Sequence, residues 1–198
     1  MGRMTAITAY ADPPPSWEPW YHEYRYGAFY IFPPEPVRGQ VNALRARYGP
    51  TSQTICDAHI SLTVPVPRPL ADDDAAEVAA ALRAVPAFDV AWGPPWQYPG
   101  IPGAVLRIEP AEMFAHIVAV LEGCACFAHA TPRRYAFSPH MTIAEFVTLE
   151  RTAAILAELA GAGLAGDFRC DTVAYAVPDA EFHFTERVLW PLGDKPAL

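Results

Sequence analysis

The chain has 198 residues, 52% of them hydrophobic and 18% charged, which suits one large globular domain or two small lobes sharing a core. Its net charge of -8 argues against an extended duplex-binding surface, because such surfaces neutralise phosphates with lysine and arginine. No apolar run reaches the roughly 18–20 residues of a membrane helix, and the N-terminus has neither a basic leader nor an apolar signal core, so a cytoplasmic location is expected.

The sole lysine is Lys195, so a positive cleft must be built from arginine, whose planar fork suits phosphate oxygens. Cys56, Cys124, Cys126 and Cys170 show no Cys-x-x-Cys pairing; they read as buried free thiols rather than zinc ligands. Neither a metal nor a cofactor is expected.

Residues 1–22 hold Pro13-Pro14-Pro15, Trp17, Trp20 and Tyr21 without a period of 2 or 3.6. They read as an extended arm whose aromatics pack on the body, a partner-recognition tail being the alternative. The remainder, 23–198, reads as a single domain. Residues 26–32 are rich in strand formers and stop at Pro33-Pro34. Val37, Val41, Leu44 and Tyr48 then recur at helical spacing until Gly49-Pro50. Residues 59–64 alternate His, Ser and Thr against Ile, Leu and Val, and are closed by Pro65 and Pro67.

Asp72-Asp73-Asp74 reads as the acidic cap of a helix running to Val85, not as a cation site. Residues 88–92 and 104–108 are strands around a loop carrying Trp92, Trp96 and Tyr98, aromatics that either stack on a base or cover the core. A helix from Pro110 to Cys126 follows, then a strand around His140, a helix at 150–162 closed by Gly161 and Gly163, and two strands at 168–177 and 181–190. The predicted order is β-α-β-α-β-β-α-β-α-β-β. The fold class is α+β, with two antiparallel or mixed sheets and helices outside.

Four His-x-Ser/Thr triplets occur where six histidines and fifteen hydroxyl residues would give about half of one by chance. His129-Ala130-Thr131 runs into Pro132 and two arginines, which marks a loop. His183-Phe184-Thr185 reads as a cross-strand pair or a supporting group. His59-Ile60-Ser61-Leu62 and His140-Met141-Thr142-Ile143 share the order His, apolar, hydroxyl, apolar. Strand alternation puts each histidine and its hydroxyl on one face and the apolar residues on the other. An imidazole exchanges a proton near neutral pH and a hydroxyl donates to an anionic oxygen, so each copy supplies half of a site.

This duplicated pattern, with Ser138-Pro139-His140-Met141-Thr142-Ile143-Ala144 the closer match, resembles the 2H phosphoesterase superfamily, which includes 2'-5' RNA ligase-like proteins and cyclic nucleotide phosphodiesterases. The resemblance covers about residues 24–192. It implies a two-lobed fold with a central cleft, and a phosphodiesterase that needs no metal. His59 and His140 would be general acid and base, with Ser61 and Thr142 on the phosphoryl oxygens. Thr63 extends the first motif's polar face, and Arg133, Arg134 or Tyr135 could reach phosphate or sugar. Glu145 stands where many relatives of the RNA-ligase-like branch carry arginine. The expected substrate is a 2',3'-cyclic or 2'-5' linked nucleotide or an RNA end, and a monomer is expected. The alternatives are a nucleotide-binding module without turnover and an esterase for another phosphorylated metabolite.

Overall fold

The structure, a computed structural model, describes residues 9–194; residues 1–8 of the expected arm and Lys195 lie outside them. The strands are β1 (Ala28–Ile31), β2 (Ile60–Ser61), β3 (Phe88–Trp96), β4 (Ala104–Glu109), β5 (His140–Ala144), β6 (Gly166–Cys170), β7 (Thr172–Pro178) and β8 (Phe184–Pro191). The helices are α1 (Val37–Tyr48), α2 (Pro50–Ile55), α3 (Asp72–Arg83), α4 (Ala111–Glu122) and α5 (Leu149–Leu159).

Two sheets were expected; the strands instead form one continuous sheet in the order β6-β3-β4-β5-β2-β1-β7-β8. Every pairing in it is antiparallel. The expected sheets survive as its two four-stranded halves, joined at β2 and β5 through the register pair Ile60↔Met141. The run 168–177, read as one strand, breaks at Asp171, whose carbonyl accepts the Leu192 N–H. β6 pairs with β3 at one edge of the sheet, whereas β7 pairs with β1 and β8 near the other. Cys170 and Thr172 are separated by one residue, so the sheet curls until its edges approach.

Packing explains the alternation along the strands. The main core collects Phe29, Ile31, Ile60, Met141, Ile143, Leu106 and Val90 from the sheet, with Val41 of α1, Val78 and Leu82 of α3, Phe114 and Ile117 of α4, and Ile155 of α5. The helices therefore cover one face, and the residues between these positions point to the other. α2 was not anticipated: Pro50, read as a helix stop, stands at the first position of a new helix, where its missing N–H costs nothing. The strand expected at 59–64 is reduced to two residues. Beyond it, the Phe29 N–H is taken by the Thr63 hydroxyl at 3.1 Å instead of by a ladder partner. The Asp72–Asp74 triplet is the first turn of α3, where Asp74 accepts the Ala71 N–H at 2.8 Å and pairs with Arg68.

The described part of the arm, residues 9–22, packs on the body. Buried Trp17 donates its indole N–H to the Ala180 carbonyl at 2.8 Å, and Tyr21 stacks on Phe182 with centroids 3.6 Å apart. Residues Pro19–Tyr24 form a 3-10 helix that carries Tyr21 and precedes β1.

Candidate active site

The seam between β2 and β5 brings the two histidine motifs together. With Ile60 paired to Met141 in the buried row, continuing the antiparallel register one residue each way sets Ser61 opposite His140 and His59 opposite Thr142. Directly opposed residues share a face, and diagonal ones lie about 7–8 Å apart, so the two imidazoles are diagonal neighbours on the face away from the helices. Tyr30 is paired with Ser61, and Arg107 with His140, which extends this into a row Tyr30, Ser61, His140, Arg107 across four strands.

Both rings are held the same way. His59 Nδ1 lies 2.6 Å from the Asp57 carbonyl, and His140 Nδ1 lies 2.9 Å from the Ser138 carbonyl. A carbonyl only accepts, so each Nδ1 carries the proton and each Nε2 presents its lone pair. Tyr98 steadies the second copy, its hydroxyl 3.2 Å from His140 Nδ1 and donating to Ser138 Oγ at 2.8 Å. Tyr30 meets the His59 ring edge-on at 4.9 Å between centroids.

The electrostatics of the two rings differ. His59 is pushed down to about 3, first by burial, then by the positive Arg45, with the Asp57 carbonyl opposing. His140 is lowered by burial, again opposed by its carbonyl partner. Arg45 is the residue that sequence reasoning missed. It is 1% exposed and donates to the carbonyls of Thr142 (2.9 Å), Ser52 (2.7 Å) and Cys56 (2.9 Å), tying α2 and β5 together behind the histidines. The signal was available: Arg45 falls four residues after Val41 on the buried stripe of α1, so a guanidinium there must find acceptors inside.

The site is open on both sides of the seam. A cavity of about 140 Å³ holds His59, Ser61, Arg45, Glu145 and a ring of aromatics including Trp20, Tyr24, Tyr30 and Phe146. A groove of about 430 Å³ is lined by Ser61, His140, Tyr24, Arg133, Arg134 and Tyr135 among others. Ser61 and Tyr24 border both spaces. A third hollow of about 300 Å³ adjoins His140, with Arg107 seated 4.5 Å over the Trp96 ring.

Of the remaining expected residues, Thr142 shares the face of His59 by register, and Arg134 and Tyr135 stand exposed on the groove wall. Thr63 borders the groove, but its hydroxyl is committed to the Phe29 backbone, a departure from the expected polar extension. Arg133 is anchored on Glu122 at 2.8 Å and on the Leu62 carbonyl. His183 precedes β8 instead of lying within it, and its Nδ1 is 3.8 Å from Asp179 in the turn, so it forms no cross-strand pair. His129 lies in a loop at φ 86°, away from the seam. All four cysteines are free and buried. Among the described residues, no helix is long and apolar enough to cross a membrane, and no group of three or more His, Cys, Asp or Glu is arranged to hold a metal ion.

Comparison with known proteins identifies the family and the fold. The model of the 2'-5' RNA ligase superfamily matches residues 33–181. No curated protein matches. Among solved structures, Escherichia coli LigT complexed with 3'-AMP superposes at a TM-score of 0.54 with 15% identity, covering 83% of this chain and 96% of that one. A crystal structure described as a phosphoesterase gives 0.56 at 17% identity, covering 84% and 97%. A protein of Thermus thermophilus gives 0.51 at 13% identity, covering 85% and 98%. At these identities the likeness is one of fold.

Proposed function

The chain belongs to the 2'-5' RNA ligase superfamily, and from that premise we propose that it is a metal-independent phosphodiesterase acting on a 2',3'-cyclic or 2'-5' linked nucleotide or RNA end. One observation carries the reading: the Ile60↔Met141 pairing sets two Nδ1-protonated imidazoles diagonally on one open face, each with a hydroxyl opposite the other motif. The arrangement suits a tetrahedral phosphoryl group between two proton-transfer groups.

In this reading His59 is the base. Arg45 beside it disfavours the imidazolium, so its Nε2 lone pair is available to take a proton from water as the water oxygen bonds to phosphorus. His140 lacks that added repulsion and is the acid: its Nε2–H protonates the sugar oxygen as the P–O bond breaks, and the product is a phosphomonoester. The proton gained by His59 and the one lost by His140 are exchanged with solvent afterwards. The Ser61 and Thr142 hydroxyls donate to the nonbridging oxygens, where negative charge concentrates in the transition state. The substrate's own anionic charge favours protonated His140 and so offsets the effect of burial.

Incubation with nucleoside 2',3'-cyclic phosphates in EDTA tests the proposal. Turnover should persist with chelator and fall about 10²–10⁴-fold in His59→Ala and in His140→Ala. Activity that requires added metal, or that survives both substitutions, overturns it.

A further inference from the structure

The cavity beside His59 has features that phosphoryl transfer does not use. Trp20 and Phe146 are 41% and 67% exposed, and their ring centroids stand 6.5 Å apart with planes inclined at 37°. A flat ring stacked between two others needs about 7 Å, twice a carbon–carbon contact distance. The gap therefore accepts a planar heterocycle after a slight opening and a levelling of the two rings. Tyr21, Tyr24 and Phe182 meet Trp20 at 86–88°, so none of them is stacked on it. Phe146 is held at φ 58°, a left-handed conformation rare for a bulky residue, and this backbone projects its ring into solvent directly after Glu145.

Glu145 lines the same cavity with Ser52 and His59. Its carboxylate offers two acceptors and no donor. Guanine alone among the common bases presents two adjacent donors on its pairing edge, N1–H and the 2-amino group. Adenine and cytosine present one donor beside an acceptor, and uracil one donor between two carbonyls. Buried Arg45 donates to three backbone carbonyls through its terminal nitrogens, while its Nε–H has no partner. Burial raises the Glu145 carboxyl, and the Arg45 charge and the Ser52 hydroxyl oppose that rise.

We propose that this cavity is a nucleobase subsite selective for guanine, with the base stacked between Trp20 and Phe146 and its N1–H and 2-amino group donated to Glu145. The inference rests on the nucleotide phosphodiesterase reading and names its preferred substrate: guanosine 2',3'-cyclic phosphate or an RNA end terminating in guanosine. Trp20 belongs to the arm, and lies outside the segment 33–181 matched by the family. Trp17 and Tyr21, on either side of Trp20, anchor it to Ala180 and Phe182.

Two measurements separate this inference from the reading beneath it. Calorimetric titration with the 2'-monophosphates of guanosine, adenosine, cytidine and uridine reports binding without turnover. The guanosine compound should bind about tenfold or more tightly than the others. Glu145→Gln should bring its affinity down to theirs, and Phe146→Ala should weaken all four by about fivefold or more through lost stacking. Equal affinities in the wild type, or a guanine preference that survives Glu145→Gln, overturns the inference whatever the catalytic result. Hydrolysis of the four 2',3'-cyclic nucleotides is then measured separately. Guanine-selective binding without hydrolysis keeps the subsite and rejects the phosphodiesterase; hydrolysis indifferent to base does the reverse. Glu145→Gln is close to isosteric and on the surface of the cavity, so its outcome does not depend on refolding the arm.

Discussion

Replacing Arg45 by Met separates the scaffold from the chemistry. The guanidinium makes three charge-assisted bonds to carbonyls of α2, the segment after it, and β5, and methionine fills much of its volume while donating nothing. Each such bond contributes about 1.5–3 kcal/mol, and part of that total is recovered because the guanidinium no longer loses its hydration. A net loss of about 3 kcal/mol follows, or a fall of roughly 6–12 °C in Tm for a chain of this size. A second consequence carries the opposite sign. With the positive charge removed, His59 loses one of the three influences that hold it down, after burial and beside the His140 charge, and its pKa should climb while remaining below the ordinary imidazole value because burial persists. Thermal melting by circular dichroism reads the first effect, and a proton NMR titration of the His59 ring reads the second. A folded variant whose His59 pKa is unchanged or lower would refute the claim that Arg45 helps to hold the base unprotonated.

The pH profile of kcat/KM should be a bell displaced to the acid side. It rises as His59 loses its proton near pH 3 and falls as His140 loses its own below 6.5, so an optimum above neutrality would show that these two groups do not govern the rate. Stability should fall as pH drops below 6.5 toward 3, because the unfolded chain takes up protons that folded His59 and His140 resist; a chemical denaturation series across that range measures it. Thr63→Val leaves the buried Phe29 N–H without its acceptor and should cost about 1–3 kcal/mol, seen in urea unfolding, with kcat/KM of the folded enzyme unchanged. Trp17→Ala removes an anchor of the arm and should cost about 3 kcal/mol while making residues around Trp20 accessible to limited proteolysis; an unaltered melting curve would show that the arm is not part of the folded body.

Much of the site was legible because its signal is local. Period-2 alternation through His59–Leu62 and His140–Ile143 needs only neighbouring residues, and the buried row Ile60 and Met141 obeys it. Helix starts were readable for the same reason, as with the acidic first turn of α3, whereas the helices expected to reach Val85, Cys126 and Ala162 end at Arg83, Glu122 and Leu159. The errors were equally local in origin. Asp171 interrupts no hydrophobic pattern, so β6 and β7 read as one strand, and the ladder hydrogen bonds that separate them come from β3 and β1, far away in the chain. Thr63 continues the alternation in sequence, yet its hydroxyl meets Phe29 only once β1 lies beside it.

The sequence by itself therefore determined two polar-faced histidine motifs and the positions of the main helices, both properties of residue type and short spacing. Tertiary structure alone decided that the two motifs share one seam, that Arg45 supports it from behind, and that Trp20 and Phe146 enclose the space next to Glu145. Those contacts join residues tens to more than a hundred positions apart, and their free energy arises when the sheet closes and buries its helix-covered face, not from the local preference of any single segment.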